Sequence, residues 1–146
     1  MRKERRMIMN TKTYTTLPQE AKDIRIEVFM KEQGFENEFD KIDTISHHIV
    51  VFDEGKPIGT CRFFKENEHY TIGRVAVLKA YRNQHIGNLL LISAEKEIKK
   101  LNGDLIVVHA QVRVSPFYKK QGYIQFGQID DDEGVPHMWM KKRIQH

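Results

Sequence analysis

The stretch from Tyr70 to Ala110 leaves few architectures open. It reads as a strand, Tyr70 to Leu78, a short loop, then a helix from Ile86 to Leu101 with Ile86, Leu89, Leu90, Ala94, Ile98 and Leu101 on one face. Asn102-Gly103 ends that helix, and Leu105 to Ala110 follows as an apolar run too short to be a helix. A strand, helix and strand in close succession form a crossover, which joins parallel neighbours in one sheet. An apolar strand of this kind is expected to be covered on both faces, which makes His109 within it a core histidine.

The flanking segments build antiparallel structure around this unit. Leu17, Ala21, Ile24, Val28 and Phe29 recur at helical spacing, so Leu17 to Gln33 reads as an amphipathic helix stopped by Gly34. Phe35 to Ser46 is polar and acidic and reads as a long loop or a short irregular helix. His48 to Asp53 and Ile58 to Phe64 are two arms of a hairpin around Asp53-Glu54-Gly55-Lys56-Pro57, and Lys65-Glu66-Asn67-Glu68 turns the chain into the strand at Tyr70. Downstream, Ser115 and Pro116 take N-cap and first-turn positions of a short helix through Gln121, and Gly122 stops it. Tyr123 to Ile129 and Pro136 to Lys142 then read as strands. The fold class is α/β (α+β), an antiparallel meander leading into a parallel pair.

Composition bounds what such a chain can be. With 146 residues, 40% of them hydrophobic, one core is expected, in a single domain spanning 10–146. No apolar run approaches the ~20 residues that cross a bilayer, and the N-terminus lacks the succession of a secretory signal, so a cytoplasmic protein with no membrane partner is expected. Cys61 is the only cysteine and reads as a small core residue. The net charge of +4 invites a nucleic-acid reading, but Arg2, Lys3, Arg5 and Arg6 against Glu4 hold three of those charges. The surplus is a tail, and residues 1–9 read as a flexible basic leader rather than a nucleic-acid module. His47, His48, His109 and His137 share no metal-ligand spacing, so no metal is expected.

Chemistry concentrates where Ile72-Gly73-Arg74-Val75-Ala76-Val77-Leu78 hands over to Lys79-Ala80-Tyr81-Arg82-Asn83-Gln84-His85-Ile86-Gly87-Asn88. A helix N-terminus presents unpaired N–H groups and the positive end of the helix dipole, which suits a phosphate or pyrophosphate. Gly87 permits close approach, and Arg82 adds a fixed positive charge with paired donors.

The pattern Arg82-x-x-His85-x-Gly87 resembles the acetyl-CoA signature of the GNAT superfamily of N-acetyltransferases, with His85 standing where a glycine is usual. The likeness extends through Val28-Phe29-Met30-Lys31-Glu32-Gln33, His48-Ile49-Val50-Val51, Pro57-Ile58-Gly59-Thr60, Phe117-Tyr118-Lys119-Lys120-Gln121-Gly122-Tyr123 and Gly134-Val135-Pro136-His137, and is to the ElaA/YjcF-like branch over 14–142. It implies a mostly antiparallel sheet whose fourth and fifth strands splay apart around the pantetheine arm of CoA, with a further short strand near Lys12 to Thr16. On that resemblance, main-chain N–H groups of Val75 and Val77, with Ala76 between them, hold pantetheine and polarise the thioester carbonyl, while Arg82, Asn83, Gln84, His85, Ile86, Gly87 and Asn88 bind pyrophosphate.

The implied activity is acetyl transfer from acetyl-CoA, as co-substrate, to a primary amine of a small molecule or peptide, by direct attack in a ternary complex. Such transfer needs a deprotonated amine, a stabilised oxyanion and a proton for the leaving thiolate. Tyr118 matches the family's tyrosine acid. Glu32, with Asp40 and Asp43 in the acidic loop, borders the implied acceptor site, and Glu32 is the catalytic carboxylate favoured by this pattern. Gln111, His137, Asp43 and Arg62 are expected to face the substrate. The alternative is a non-catalytic acyl-CoA binder or sensor with the same fold. The oligomeric state, monomer or homodimer, is open.

Overall fold

In the computed structural model, which describes residues 8–36 and 38–144, the expected crossover runs from β4 (His69–Val77) through α2 (Ile86–Lys100) to β5 (Leu105–Gln111). β4 and β5 are parallel neighbours, paired from Tyr70↔Ile106 to Ile72↔Val108. β2 (His47–Asp53) and β3 (Lys56–Glu66) precede them as the antiparallel meander. β7 (Val135–Arg143) inserts between β5 and β6 (Ile124–Asp132), giving a seven-stranded sheet in the order β1-β2-β3-β4-β5-β7-β6 with every pair but β4–β5 antiparallel. β1 is the short strand implied near residue 12. It spans Met9–Tyr14 and pairs Met9↔Asp53 to Tyr14↔His48. Of the expected leader 1–9, residues 1–7 lie outside the described residues, while the Ile8 carbonyl accepts from Glu54 N–H and Met9 already belongs to β1.

Helices cover both faces of the sheet. Leu90, Leu91, Ala94 and Ile98 of α2 are fully buried against Ile49, Ile58, Phe63, Ile72 and Ile106. α2 comes so close to β3 that a Cβ on Gly59 would stand 3.0 Å from Ile86 Cγ2. On the opposite face lies α1 (Gln19–Arg25), which continues through wider π-type turns over Ile26–Glu32. The periodicity marked this helix but not its widening, and Val28 and Phe29 within the wider turns are both buried. Their partners are Val50, Phe52 and Ala76. α3 (Ser115–Lys120) differs in its cap from the sequence expectation. A 3₁₀ turn over Val112–Val114 feeds into it, Val114 is the N-cap, and Ser115 lies inside the helix, buried.

The sheet opens between β4 and β5. Their pairing stops at Ile72 and Val108, although β4 runs on to Val77 and β5 to Gln111. Each strand keeps its other partner: Val77 still pairs with Gly59, and Gln111 with His137. The cause is a bulge. Between Thr60↔Ala76 and Arg62↔Gly73, Arg74 and Val75 stand opposite Cys61 alone, with Arg74 at φ +50°. An extra residue raises local twist and bends the bulged strand away from its neighbour.

The acidic stretch after α1 is not a solvated rim. Glu38 and Asp43 are buried with Arg25 and Arg62. Arg25 Nε donates to Glu38 Oε1 at 2.7 Å and its Nη1 to Asp43 Oδ1 at 2.8 Å, while Arg62 Nη1 bonds Asp40 Oδ1 at 2.7 Å and Asp43 Oδ1 at 2.9 Å. Arg74, at the bulge, reaches Glu38 Oε1 at 3.2 Å and Asp40 Oδ2 at 3.4 Å. The cluster ties this loop to α1, β3 and β4 together.

Burial alone would raise the Asp43 carboxyl, but the hydrogen bonds and charges of Arg25 and Arg62 outweigh it and hold the group at about 2, against an ordinary 3.8. A depressed carboxylate contributes stability that is present above its unfolded value and is lost as pH falls through the folded one. Urea unfolding should therefore show a loss of about 2 kcal/mol from this group between about pH 5 and pH 2. Asp43→Asn should lower the neutral plateau by about 3–5 kcal/mol and flatten that acid limb. An acid limb of unchanged steepness would contradict the assignment.

Candidate active site

Two cavities flank the gap between β4 and β5. The first, about 240 Å³, lies between Ile72–Val75 of β4 and His109–Gln111 of β5, with Tyr118 of α3 and His137 of β7 in its wall. The second, about 360 Å³, lies beyond Val77, between Phe117 and the loop that leads into α2 together with that helix's first turn. The edge of β4 between them is set by strand geometry. Leu78 N–H donates to Ile58 O at 2.9 Å, toward β3. Alternation turns Val77 N–H toward the side that β5 has left, and Val75 stands in the bulge two residues before it. Ala76 points the other way: it pairs with Thr60, and its side chain is buried against α1.

At the second cavity the chain enters α2 through Asn83 and His85, both at positive φ (64° and 63°). His85 is the N-cap and makes no side-chain cap bond, so the first-turn N–H groups at Ile86, Gly87 and Asn88 have no partner within the helix. The first turn carries no acid and the last carries Lys99 and Lys100. The Lys pair suits the dipole, while the positive N-terminal end is left without a protein anion on its own turn. Phe117 packs over Gly87, where a Cβ would stand 3.3 Å from its ring. Arg82 donates through Nε to Val77 O at 3.0 Å and grips Glu32 with both remaining nitrogens at 2.5 and 2.8 Å.

The first cavity has polar walls. Gln111 Nε2 donates to Gln33 Oε1 at 2.9 Å and its Oε1 accepts from Arg113 Nε at 2.8 Å, linking β5 to the end of the first helix. Glu133, at the β6–β7 turn, accepts from Glu36 N–H at 3.2 Å. Tyr118 packs edge-on against Phe117 and Tyr123, and its hydroxyl has no hydrogen-bond partner among the described residues. Burial pushes the Tyr118 hydroxyl well above the usual tyrosine range, so it stays protonated, a donor. The Cys61 thiol, also buried, is pushed up to about 12, which makes it inert as a nucleophile. Among the described residues no group of His, Cys, Asp and Glu is arranged to hold a metal ion.

The structure thus gathers Val75, Tyr118, Gln111 and His137 around one cavity and Val77, Arg82, Asn83, His85, Ile86, Gly87 and Asn88 around the other; Gln84 is exposed on the same loop. It does not bring Asp43, Arg62 or Glu32 to either wall. Asp43 and Arg62 are consumed by the buried ionic cluster, and the Glu32 carboxylate is engaged by Arg82, whose hydrogen bonds hold it below the usual range. His109 is not the core histidine that the sequence led us to expect. It is half-buried on the cavity wall, with Nε2 2.7 Å from Asp130 Oδ1 and its ring stacked on Trp139 at 4.2 Å. A single polar residue inside an otherwise apolar strand was the available signal.

The forked sheet, the bulged fourth strand and the loop at the start of α2 define an acetyltransferase fold of the GNAT type. The chain belongs to that family: the acetyltransferase (GNAT) domain model matches residues 14–144. Among relatives, it is 35% identical over 122 residues to the uncharacterized N-acetyltransferase YjcF of Bacillus subtilis, covering 82% of this chain and 87% of that protein. A candidate N-acetyltransferase from Lactobacillus plantarum, solved by crystallography, superposes with a TM-score of 0.86 at 26% identity over 94% of this chain and 99% of that one. Escherichia coli ElaA shares the fold, with a TM-score of 0.81 at 22% identity over 94% of this chain and 99% of that one. No helix among the described residues is long and apolar enough to cross a membrane.

A non-glycine residue in the left-handed region carries a strain of about 1 kcal/mol. His85→Gly should therefore raise the free energy of urea unfolding by about that amount. A neutral or destabilising outcome would mean that the histidine ring supports the loop by contacts that offset its backbone.

Proposed function

We propose that this protein transfers an acetyl group from acetyl-CoA to a primary amine by direct attack, with both substrates bound at once. The observation that carries the reading is the placement of the two cavities at either end of one open edge of β4, with a protonated tyrosine in the wall of the first and a helix N-terminus free of acids at the second. Acetyl-CoA supplies the activated acyl group. The residues present fit it: the edge offers Val75 and Val77 N–H groups, and the loop offers amides at a positive helix end.

In this reading Arg82, Asn83, Gln84, His85, Ile86, Gly87 and Asn88 cradle the pyrophosphate, largely through main-chain N–H groups. Glu32 orients the Arg82 guanidinium until a phosphate competes for it. Val75 and Val77 N–H groups polarise the acyl carbonyl and stabilise the oxyanion formed on attack. Tyr118 donates its proton to the departing sulfur. Gln111 and His137 face the acceptor, whereas Asp43 and Arg62 act at one remove by fixing the loop. A non-catalytic acyl-CoA binder has no use for a lone protonated hydroxyl in the first cavity, which favours the enzyme.

Tyr118→Phe should leave the CoA dissociation constant within about threefold and lower thiol release with an amine acceptor by about 100-fold. Undiminished turnover would remove the acid role. Tight acetyl-CoA binding with thiol release never above background, across polyamines, amino sugars and peptides, would favour the sensor instead.

A further inference from the structure

Resting on the N-acetyltransferase reading, we propose that His137 is the general base that deprotonates the acceptor amine through its Nε2. An alkylamine arrives as an ammonium ion, and its lone pair is unavailable until a protein group takes a proton. Apart from Asp132, which ends the exposed strand β6, the carboxylates near the gap are committed elsewhere. Glu32 is held by Arg82, Glu38 Oε1 is shared by Arg25 and Arg74 at 2.7 and 3.2 Å, and Asp40 and Asp43 bind Arg62.

His137 is placed differently. It lies on β7 opposite Gln111, buried in the wall of the first cavity, which Tyr118 also lines. Its Nδ1 stands 2.8 Å from the main-chain oxygen of Val135. A carbonyl can only accept, so Nδ1 carries the hydrogen, and in the neutral ring Nε2 is left with its lone pair. No described residue bonds that nitrogen. The His109 ring packs against it at 4.8 Å, and His109 is in turn stacked on Trp139 and tied through Nε2 to Asp130. The other titratable groups facing the same space are Arg113 in the 3₁₀ turn, Asp132 at the end of β6, Glu133 in the β6–β7 turn, and Glu38 and Arg74 across the cavity.

The proton balance closes. Nε2 takes one proton from the ammonium nitrogen, giving imidazolium and a neutral amine. The amine lone pair forms the C–N bond to the acyl carbon as the C=O pair moves onto oxygen. The oxygen pair then reforms C=O, the C–S bond breaks, and the sulfur receives the Tyr118 proton. The protonated nitrogen of the adduct returns a proton to the Tyr118 oxygen, leaving amide and thiol, and the imidazolium releases its proton to water.

The test compares acceptors that do and do not need a base. With the full chain at neutral pH and saturating acetyl-CoA, thiol release is measured with spermidine, a lysine-containing peptide and an amino sugar, and with hydroxylamine, which is already unprotonated. His137→Gln should lose about 100-fold with the alkylamines and less than about tenfold with hydroxylamine, whereas His109→Gln, which removes only the packed neighbour, should affect both by a similar factor. Long-range proton–nitrogen NMR of the unliganded protein should show the neutral form of the His137 ring carrying its hydrogen on Nδ1. Equal losses of His137→Gln with both kinds of nucleophile, or a hydrogen on Nε2, overturns the base assignment while leaving the acetyltransferase intact. Wild-type protein that releases no thiol with any nucleophile overturns the acetyltransferase reading itself.

Discussion

At Arg74 and Val75, β4 carries two residues where β3 carries one, and from that point the sheet cannot remain closed on both sides of β4. The strand keeps its antiparallel partner, because β3 lies against it from Gly59 to Glu66 and α2 presses on Gly59 from behind. It gives up the parallel one, which keeps only the three register pairs that precede the bulge, Tyr70↔Ile106 to Ile72↔Val108. Both cavities, the free edge at Val77 and the exposure of the Tyr118 hydroxyl to a pocket follow from that trade. The left-handed backbone at Arg74 costs about 1 kcal/mol, and the same residue's guanidinium contacts with Glu38 and Asp40 help to offset it.

Those contacts connect the bulge to the buried charges. Arg25, Arg62 and Arg74 face Glu38, Asp40 and Asp43 in one cluster. Desolvating such groups costs nearly as much as pairing them returns, so the cluster is a poor source of net stability. Its effect is on geometry. It brings a loop far from β4 in sequence to the edge of the first cavity, and it keeps those carboxylates bound to arginine rather than open to a substrate proton. Burial leaves its mark on Glu38, whose carboxyl is pushed above the ordinary value despite its arginine partners.

Elements whose burial is local were legible in the sequence. α2 shows its apolar face at helical spacing, β5 shows its burial as an apolar run, and the loop between β4 and α2 announces a helix N-terminus. What was not legible depends on distant partners. β1 is polar because it is an edge strand with four exposed residues in the middle, so no alternation marks it. β6 extends to Asp132 for the same reason, being exposed along its whole length. Glu38 and Asp43 look like solubility residues until Arg25 and Arg62, 13 to 19 positions away, close on them. Glu32 ends the first helix as expected, but its carboxylate belongs to Arg82, 50 positions on.

The central claim is that β4 beyond its bulge has an edge reserved for a ligand backbone. Amide hydrogen exchange at single-residue resolution, with and without CoA, tests it directly. Leu78, bonded to Ile58, should be protected in both states, while Val77 should exchange quickly in the free protein and slow markedly when CoA is added. A Val77 amide that is already protected without CoA, or that CoA leaves unchanged, would contradict the account.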